Sequence, residues 1–231
     1  MYIGITGYNH ESSAALVDSK GFLIDYYREE SLSRIKGDKS FPKRAIKRIM
    51  DINNLKYIDI NSIAFYERPL SSFLTTLRTA ALNLPESLAL ISHQCRNFDK
   101  SSVSCFLDIA KLHPGLEKKL IYLDHHLSHT LTSLPYSDIQ SNVCSIVVDG
   151  FGDRSTTSIS QVNNLYDIKE LWSCDYPFSL GLFYSAITDF LGFQVNEGEF
   201  KVMGLSSFGN AESEVAKNVF NLIKWDEKEH K

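Results

Sequence analysis

Two stretches far apart in the chain repeat one layout: "MYIGITGYNHESSAALV" at residues 1–17 and "CSIVVDGFGDRSTTSIS" at residues 144–160. Each begins as a short apolar run with strand character. Each then breaks at a glycine-containing turn carrying polar side chains and resumes as a second strand. Few residues are identical between the two, so what repeats is architecture. A chain that opens two units with the same hairpin is directed toward a duplicated α/β arrangement.

The elements between and after these hairpins extend the parallel. "FLIDYYREE" predicts a third strand, and Pro42 opens a helix in "FPKRAIKRIMDINN", where Ala45, Ile46, Ile49 and Met50 recur at helical spacing. "SIAFYE" is a buried strand, helical patterns lie on either side of Pro85, and "KKLIYLD" is a strand leading into "LDHHLSHTLTSLP". The predicted order for a first subdomain, residues 1–140, is βββαβαβα. Residues 141–231 start again: strands at "VCSIVVDGFGD", "STTSISQV" and "LYDIKELWSCDY", then the helix "SLGLFYSAITDFLGF", the glycine-rich loop "EGEFKVMGLSSFGN" and a last helix "AESEVAKNVFNLIKW". Further β-α pairs are absent, so this second subdomain reads as truncated and the chain as part of a larger protein. Two such units facing across a cleft resemble the actin-like ATPase fold (ribonuclease H-like) of actin, Hsp70 and the sugar kinases. There both hairpin turns point into the cleft, where small residues and backbone N–H groups approach phosphate oxygens.

Composition narrows the partners. The 231 residues carry a net charge of −4 with a pI near 6.0, which argues against a broad electrostatic footprint for nucleic acid or anionic lipid. The basic run "FPKRAIKR" reads as the wet face of a helix, with phosphate binding as the alternative. No apolar stretch reaches the ~20 residues of a membrane span. Met1 leads directly into a strand, so no secretory leader is expected. Cys95, Cys105, Cys144 and Cys174 form neither a CxxC pair nor a zinc-like spacing, which fits buried thiols of a cytoplasmic protein.

Three of the seven histidines fall within five consecutive positions. With a helix starting near Asp124, His125 and His129 lie at i and i+4 on one face, a spacing that lets two imidazoles reach one metal ion. His126 faces about 100° away and suits a supporting role. The alternative is a set of hydrogen-bonded interior histidines. Two ligands do not close a metal site, and Asp149, between an apolar strand and the turn glycines Gly150 and Gly152, offers a carboxylate; the alternative is a turn cap. His10, in the first hairpin turn, suits a general base or a phosphate contact if it faces a cleft. Arg34, Lys36 and Lys39 read on their own as a solvated loop; over a cleft, such a basic loop suits an anionic substrate. Gly198 and Lys201, in the last glycine-rich stretch, form a weakly specific phosphate-loop candidate, and no Walker, GxSxG or kinase signature is present.

The segments "GITGYNHESSAALV", "EESLSRIKGDKSFPKRAI", "AFYERPL", "DHHLSHTLTSLPYS", "VVDGFGDRSTT" and "PFSLGLFYSAITDFLGFQVNEGEFKVMGLSSFG" together resemble, in order, the O-carbamoyltransferase family of nodulation and antibiotic-tailoring enzymes. The resemblance implies an actin-like domain related to the tRNA threonylcarbamoyl transferases, with His125 and His129 binding a divalent metal, iron, and Asp149 helping to complete the site. It implies a carbamoyl-adenylate made from ATP and carbamoyl phosphate on a separate adenylate-forming domain. The carbamoyl group then passes to a hydroxyl of a small-molecule or glycan acceptor, with His10 assisting deprotonation and Lys36 contacting the donor. The family's turn often reads His-Asp-Ser where this chain has His10-Glu11-Ser12. The rest of the actin-like domain and the adenylate-forming domain are not in these residues and would come in cis or in trans. Two other readings follow: a non-catalytic fragment or split-gene subunit needing a partner, and a tRNA threonylcarbamoyl transferase-like protein.

Overall fold

The computed structural model describes residues 1–8, 11–85, 87–88, 102–134, 142–224 and 226. The chain is mixed α/β and divides into two units, Met1–Thr132 and Ser133–Lys231. The elements of the first are β1 (Tyr2–Thr6), β2 (Ser13–Val17), β3 (Leu23–Arg28), α1 (Glu29–Ser33), α2 (Lys43–Ile52), β4 (Ser62–Phe65), α3 (Pro69–Leu82), α4 (Ser102–Leu112), β5 (Leu120–Tyr122) and α5 (His125–Ser133). Five strands make one sheet in the order β3-β2-β1-β4-β5. The first three form an antiparallel meander, while β4 pairs parallel to β1 and β5 parallel to β4.

Alternation selects the core face. Ile3 and Ile5 of β1, Ala14 and Leu16 of β2, and Ile63 and Phe65 of β4 are buried. Helix α2 packs on β2 and β3, and its Ala45, Ile46, Ile49 and Met50 join that core. Each fully buried Ile or Leu contributes about 1.5–3 kcal/mol relative to exposure. The expected third strand is shorter than "FLIDYYREE", because Glu29 turns inward. Its carboxylate accepts from the backbone N–H groups of Arg44 (3.1 Å) and Ala45 (2.9 Å), the unsatisfied donors at the start of α2. The chain thus leaves the sheet at Arg28 and forms the short α1, and Pro42 stands just before α2 rather than in its first turn.

The second unit has β6 (Val143–Gly152), β7 (Ser155–Asn164), β8 (Asp167–Asp175), α6 (Leu180–Phe190), α7 (Glu199–Leu205) and α8 (Glu214–Phe220). Its strands form an antiparallel sheet in the order β6-β7-β8. The glycine-rich stretch expected as a loop is largely helix α7. Glu199 anchors it: its carboxylate accepts from the backbone N–H of Asn196 (3.0 Å), the Ser185 hydroxyl (2.9 Å) and the backbone N–H of Gly198 (3.2 Å). Those donors, the Asn196 N–H foremost, hold its carboxyl below the usual carboxylate range. Large apolar side chains remain uncovered: Phe190 is 84%, Phe208 89% and Phe220 75% exposed. No described helix is long and apolar enough to cross a membrane.

Candidate functional site

The histidine helix grows out of the sheet's parallel edge. The Leu123 N–H donates to Phe65 O (2.9 Å), continuing the β4–β5 pairing past Tyr122. Asp124 then caps α5, its Oδ1 accepting from the Leu127 N–H at 3.0 Å. The Ser128 hydroxyl reaches Tyr66 O at 3.0 Å, which ties the new helix to the chain leaving β4.

On this helix the one-turn spacing brings His125 and His129 together, with their Nε2 atoms 3.1 Å apart. His125 is buried and His129 exposed, so the pair has one face in the unit and one toward its surface. Behind His125, its Nδ1 lies 4.0 Å from Oε2 of Glu67, and the two side chains are only 5% and 7% exposed. The Tyr66 ring stands 5.7 Å from the His125 ring. His126 is also buried, its ring centroid 6.1 Å from that of His125. The donor set suits a divalent cation. Two nitrogens each ~2.1 Å from one ion sit about 3.0–3.4 Å apart in octahedral or tetrahedral coordination, the spacing these Nε2 atoms already have.

Glu67 is the residue that sequence reading missed. It lies two positions beyond the end of β4, as Asp124 lies two beyond the end of β5. An acid just past a parallel strand was the available signal.

The first hairpin turn is laced to the basic loop. Tyr8, in the left-handed region (φ 67°), donates its N–H to Lys39 O (2.7 Å), and the Ser12 N–H donates to Asp38 O (2.8 Å). The Ser12 hydroxyl donates to Ser40 O. Asp38 is buried, and hydroxyl donors, Ser33 first and then Ser40, hold its carboxyl below the usual range. Lys36 is exposed in this loop, next to Gly37, whose φ is 63° and whose N–H donates to Glu30 Oε2 (2.9 Å). His10 lies outside the described residues. The Tyr8 hydroxyl donates to Asp108 (3.0 Å), and burial drives its pKa up.

In the second unit, Asp149 and Gly150 sit where the β6–β7 register shifts between Val148 and Gly152. The Gly150 N–H donates to Asp149 Oδ1 (2.6 Å), and the Ser179 hydroxyl donates to Gly150 O (2.6 Å) while accepting from the Leu182 N–H (3.0 Å). The start of α6 is therefore pressed onto the irregular part of β6. A Cβ at Gly181 would stand 2.6 Å from the Asp149 carbonyl carbon and oxygen and from Gly150 N. Gly152 pairs with Ser155 across the turn. Gly198 has a packing reason to be glycine, since a Cβ there would lie 2.6 Å from Phe193 Cβ. Lys201 lies on α7 with its ammonium 5.8 Å from the Phe200 ring centroid.

Comparison with known proteins fits the pieces together. The family profile described as "Carbamoyltransferase N-terminus" matches residues 1–231. The uncharacterized protein sll1178 of Synechocystis sp. is 32% identical over 223 residues, covering 90% of this chain and 34% of that protein. Nodulation protein NolNO of Sinorhizobium fredii is 28% identical over 211 residues, covering 87% of the chain and 28% of that protein. The uncharacterized protein MJ1051 of Methanocaldococcus jannaschii is 28% identical over 226 residues, covering 97% and 36%. The chain spans about a third of the length of these curated relatives.

Proposed function

Because this chain belongs to the carbamoyltransferase family, as its N-terminal region, we propose that it carries the metal-binding half of an O-carbamoyl transfer site. The donor is a carbamoyl-adenylate made from ATP and carbamoyl phosphate, and the acceptor is a hydroxyl of a small molecule or glycan. The carrying observation is the imidazole pair, whose Nε2 atoms stand 3.1 Å apart with a buried carboxylate behind one ring.

In this reading His125, His129 and Asp149 hold a divalent cation, ferrous iron. The bound ion supplies Lewis acidity toward the carbamoyl carbonyl or the phosphate. The acceptor oxygen forms a bond to the carbamoyl carbon, the carbon–oxygen bond to phosphate breaks, and AMP leaves with the electron pair. The hydroxyl proton passes to His10 as general base. Lys36 contacts the donor's phosphate, and the hydrogen bonds from residues 8 and 12 to residues 39 and 38 support this by holding the basic loop against the hairpin turn. Gly150 and Gly152 let the nucleotide approach the backbone, and Gly198 and Lys201 lie in the second nucleotide-contacting stretch.

The fold behind this reading is the actin-like one, with residues 1–140 and 141–231 as first and truncated second subdomains. A central β1, an antiparallel meander on one side and parallel strands on the other support it. The remaining actin-like elements and the adenylate-forming domain are supplied in cis or in trans, and the protein works in the cytoplasm. The test is anaerobic titration with ferrous iron: the parent chain binds the ion, and the double variant His125→Ala, His129→Ala does not. Unchanged affinity in the double variant overturns the site.

The exposed phenylalanines of the second unit favour a second reading, in which these residues are a binding piece completed by further polypeptide. A monomer that unfolds cooperatively at high concentration would count against it.

A further inference from the structure

We propose that Glu67 is a positioning residue for the imidazole pair: it takes the Nδ1 proton of His125 in a hydrogen bond and so presents the bare Nε2 toward His129. The inference rests on the metal reading for its purpose, though its tautomer component stands without metal.

Three observations carry it. The two Nε2 atoms face each other at 3.1 Å, which turns Nδ1 of His125 to the opposite side of the ring. That Nδ1 faces Oε2 of Glu67 at 4.0 Å, about 1 Å beyond a hydrogen bond, and the proposal requires this gap to close. The backbones that set this distance are stiff. Phe65 of β4 is in register with Tyr122 of β5, so Glu67 and His125 each follow within three residues of a paired position. The Ser128 hydroxyl on Tyr66 O fastens the same two segments again.

The chemistry needs such a group. A metal-bound imidazole uses one nitrogen for the ion, and a carboxylate on the other fixes the tautomer, the ring orientation and the basicity of the ligand. Both side chains are more than nine-tenths buried, where a charge-assisted hydrogen bond is stronger than in water. His129, exposed, has water available for that purpose.

The test uses Co²⁺ as probe with the full chain and its variants, reading affinity and the visible absorption of the bound ion. Glu67→Ala is expected to weaken Co²⁺ binding about 10–100-fold and alter the absorption band. Glu67→Gln, whose amide oxygen still accepts a hydrogen bond, recovers most of that loss. A Glu67→Ala chain that binds Co²⁺ as tightly as the parent, with the same spectrum, overturns the proposal. His125→Ala separates the two layers: if it leaves Co²⁺ affinity unchanged, the metal reading fails, and the tautomer decides Glu67 alone. Long-range ¹⁵N–¹H NMR of the metal-free parent is expected to find neutral His125 protonated at Nδ1. A proton on Nε2 overturns the proposal even if the alanine variant does not fold.

Discussion

Gly181 and Gly150 are neighbours in space with opposite tolerance for a methyl group. A Cβ at Gly150 meets only Leu182 Cδ2 at 3.7 Å, whereas one at Gly181 meets the β6 backbone at 2.6 Å. Alanine at 181 gains about 1 kcal/mol of helix propensity, but backbone cannot yield as a flexible side chain does, and overpacking of this kind costs about 1–3 kcal/mol. Gly181→Ala is therefore expected to lower the urea midpoint clearly, with Gly150→Ala close to the parent. Asp38 gives a pH test at the same scale. Its carboxyl is held below the ordinary range by the Ser33 and Ser40 hydroxyls, so the folded state binds its proton less readily than the unfolded chain. That stability is present above the unfolded value, ~3.9, and is lost as pH falls below it through the folded value. Asp38→Asn should flatten the acid limb of a stability–pH curve measured by urea unfolding below pH ~4, and an unchanged limb would contradict the assignment.

At the scale of elements, the caps set the geometry. Asp124 caps α5 through the Leu127 N–H at 3.0 Å, and the imidazole pair sits in the first turns of that helix. Asp124→Ala is expected to cost about 1 kcal/mol in thermal or urea unfolding and, on the proposed metal reading, to weaken cation binding by fraying those turns. Much of this element map was legible in the sequence. Ile3, Ile5, Ala14 and Leu16 alternate in period two, and Ala45, Ile46, Ile49 and Met50 recur in the helical period, because one face of each element is buried. The HxxxH spacing alone was enough to place two imidazoles side by side. What stayed illegible depends on partners distant in sequence. Glu29 reads as the tail of a strand until α2 offers it two N–H donors from residues 15 and 16 positions later. Glu67 reads only as the last residue of the strand "SIAFYE" until α5 sets His125 before it. Residues 199–205 read as a loop, because the glycines drew attention away from a carboxylate able to tie three donors.

At the scale of the whole molecule, both units leave large apolar side chains exposed, and in the second Phe190, Phe208 and Phe220 are all at least three-quarters exposed. Where such side chains form a contiguous patch, they mark a surface that binds something. Light scattering of the isolated 231 residues is expected to show concentration-dependent association, reduced by Phe208→Ser with Phe220→Ser; association unaffected by that pair would place the sticky surface elsewhere. The position of β1 at the middle of its sheet bears on how the protein is born. β1 needs β4 on one flank, and β4 in turn waits for β5, roughly 120 residues further along the chain. At ~5–20 residues per second the ribosome delivers it about 6–24 s after β1. The meander can zip up early, but Glu67 and His125 meet only once that last strand docks. On the proposed metal reading, a cation taken up during synthesis would therefore meet the imidazole pair late, after the hairpin rim is already in place.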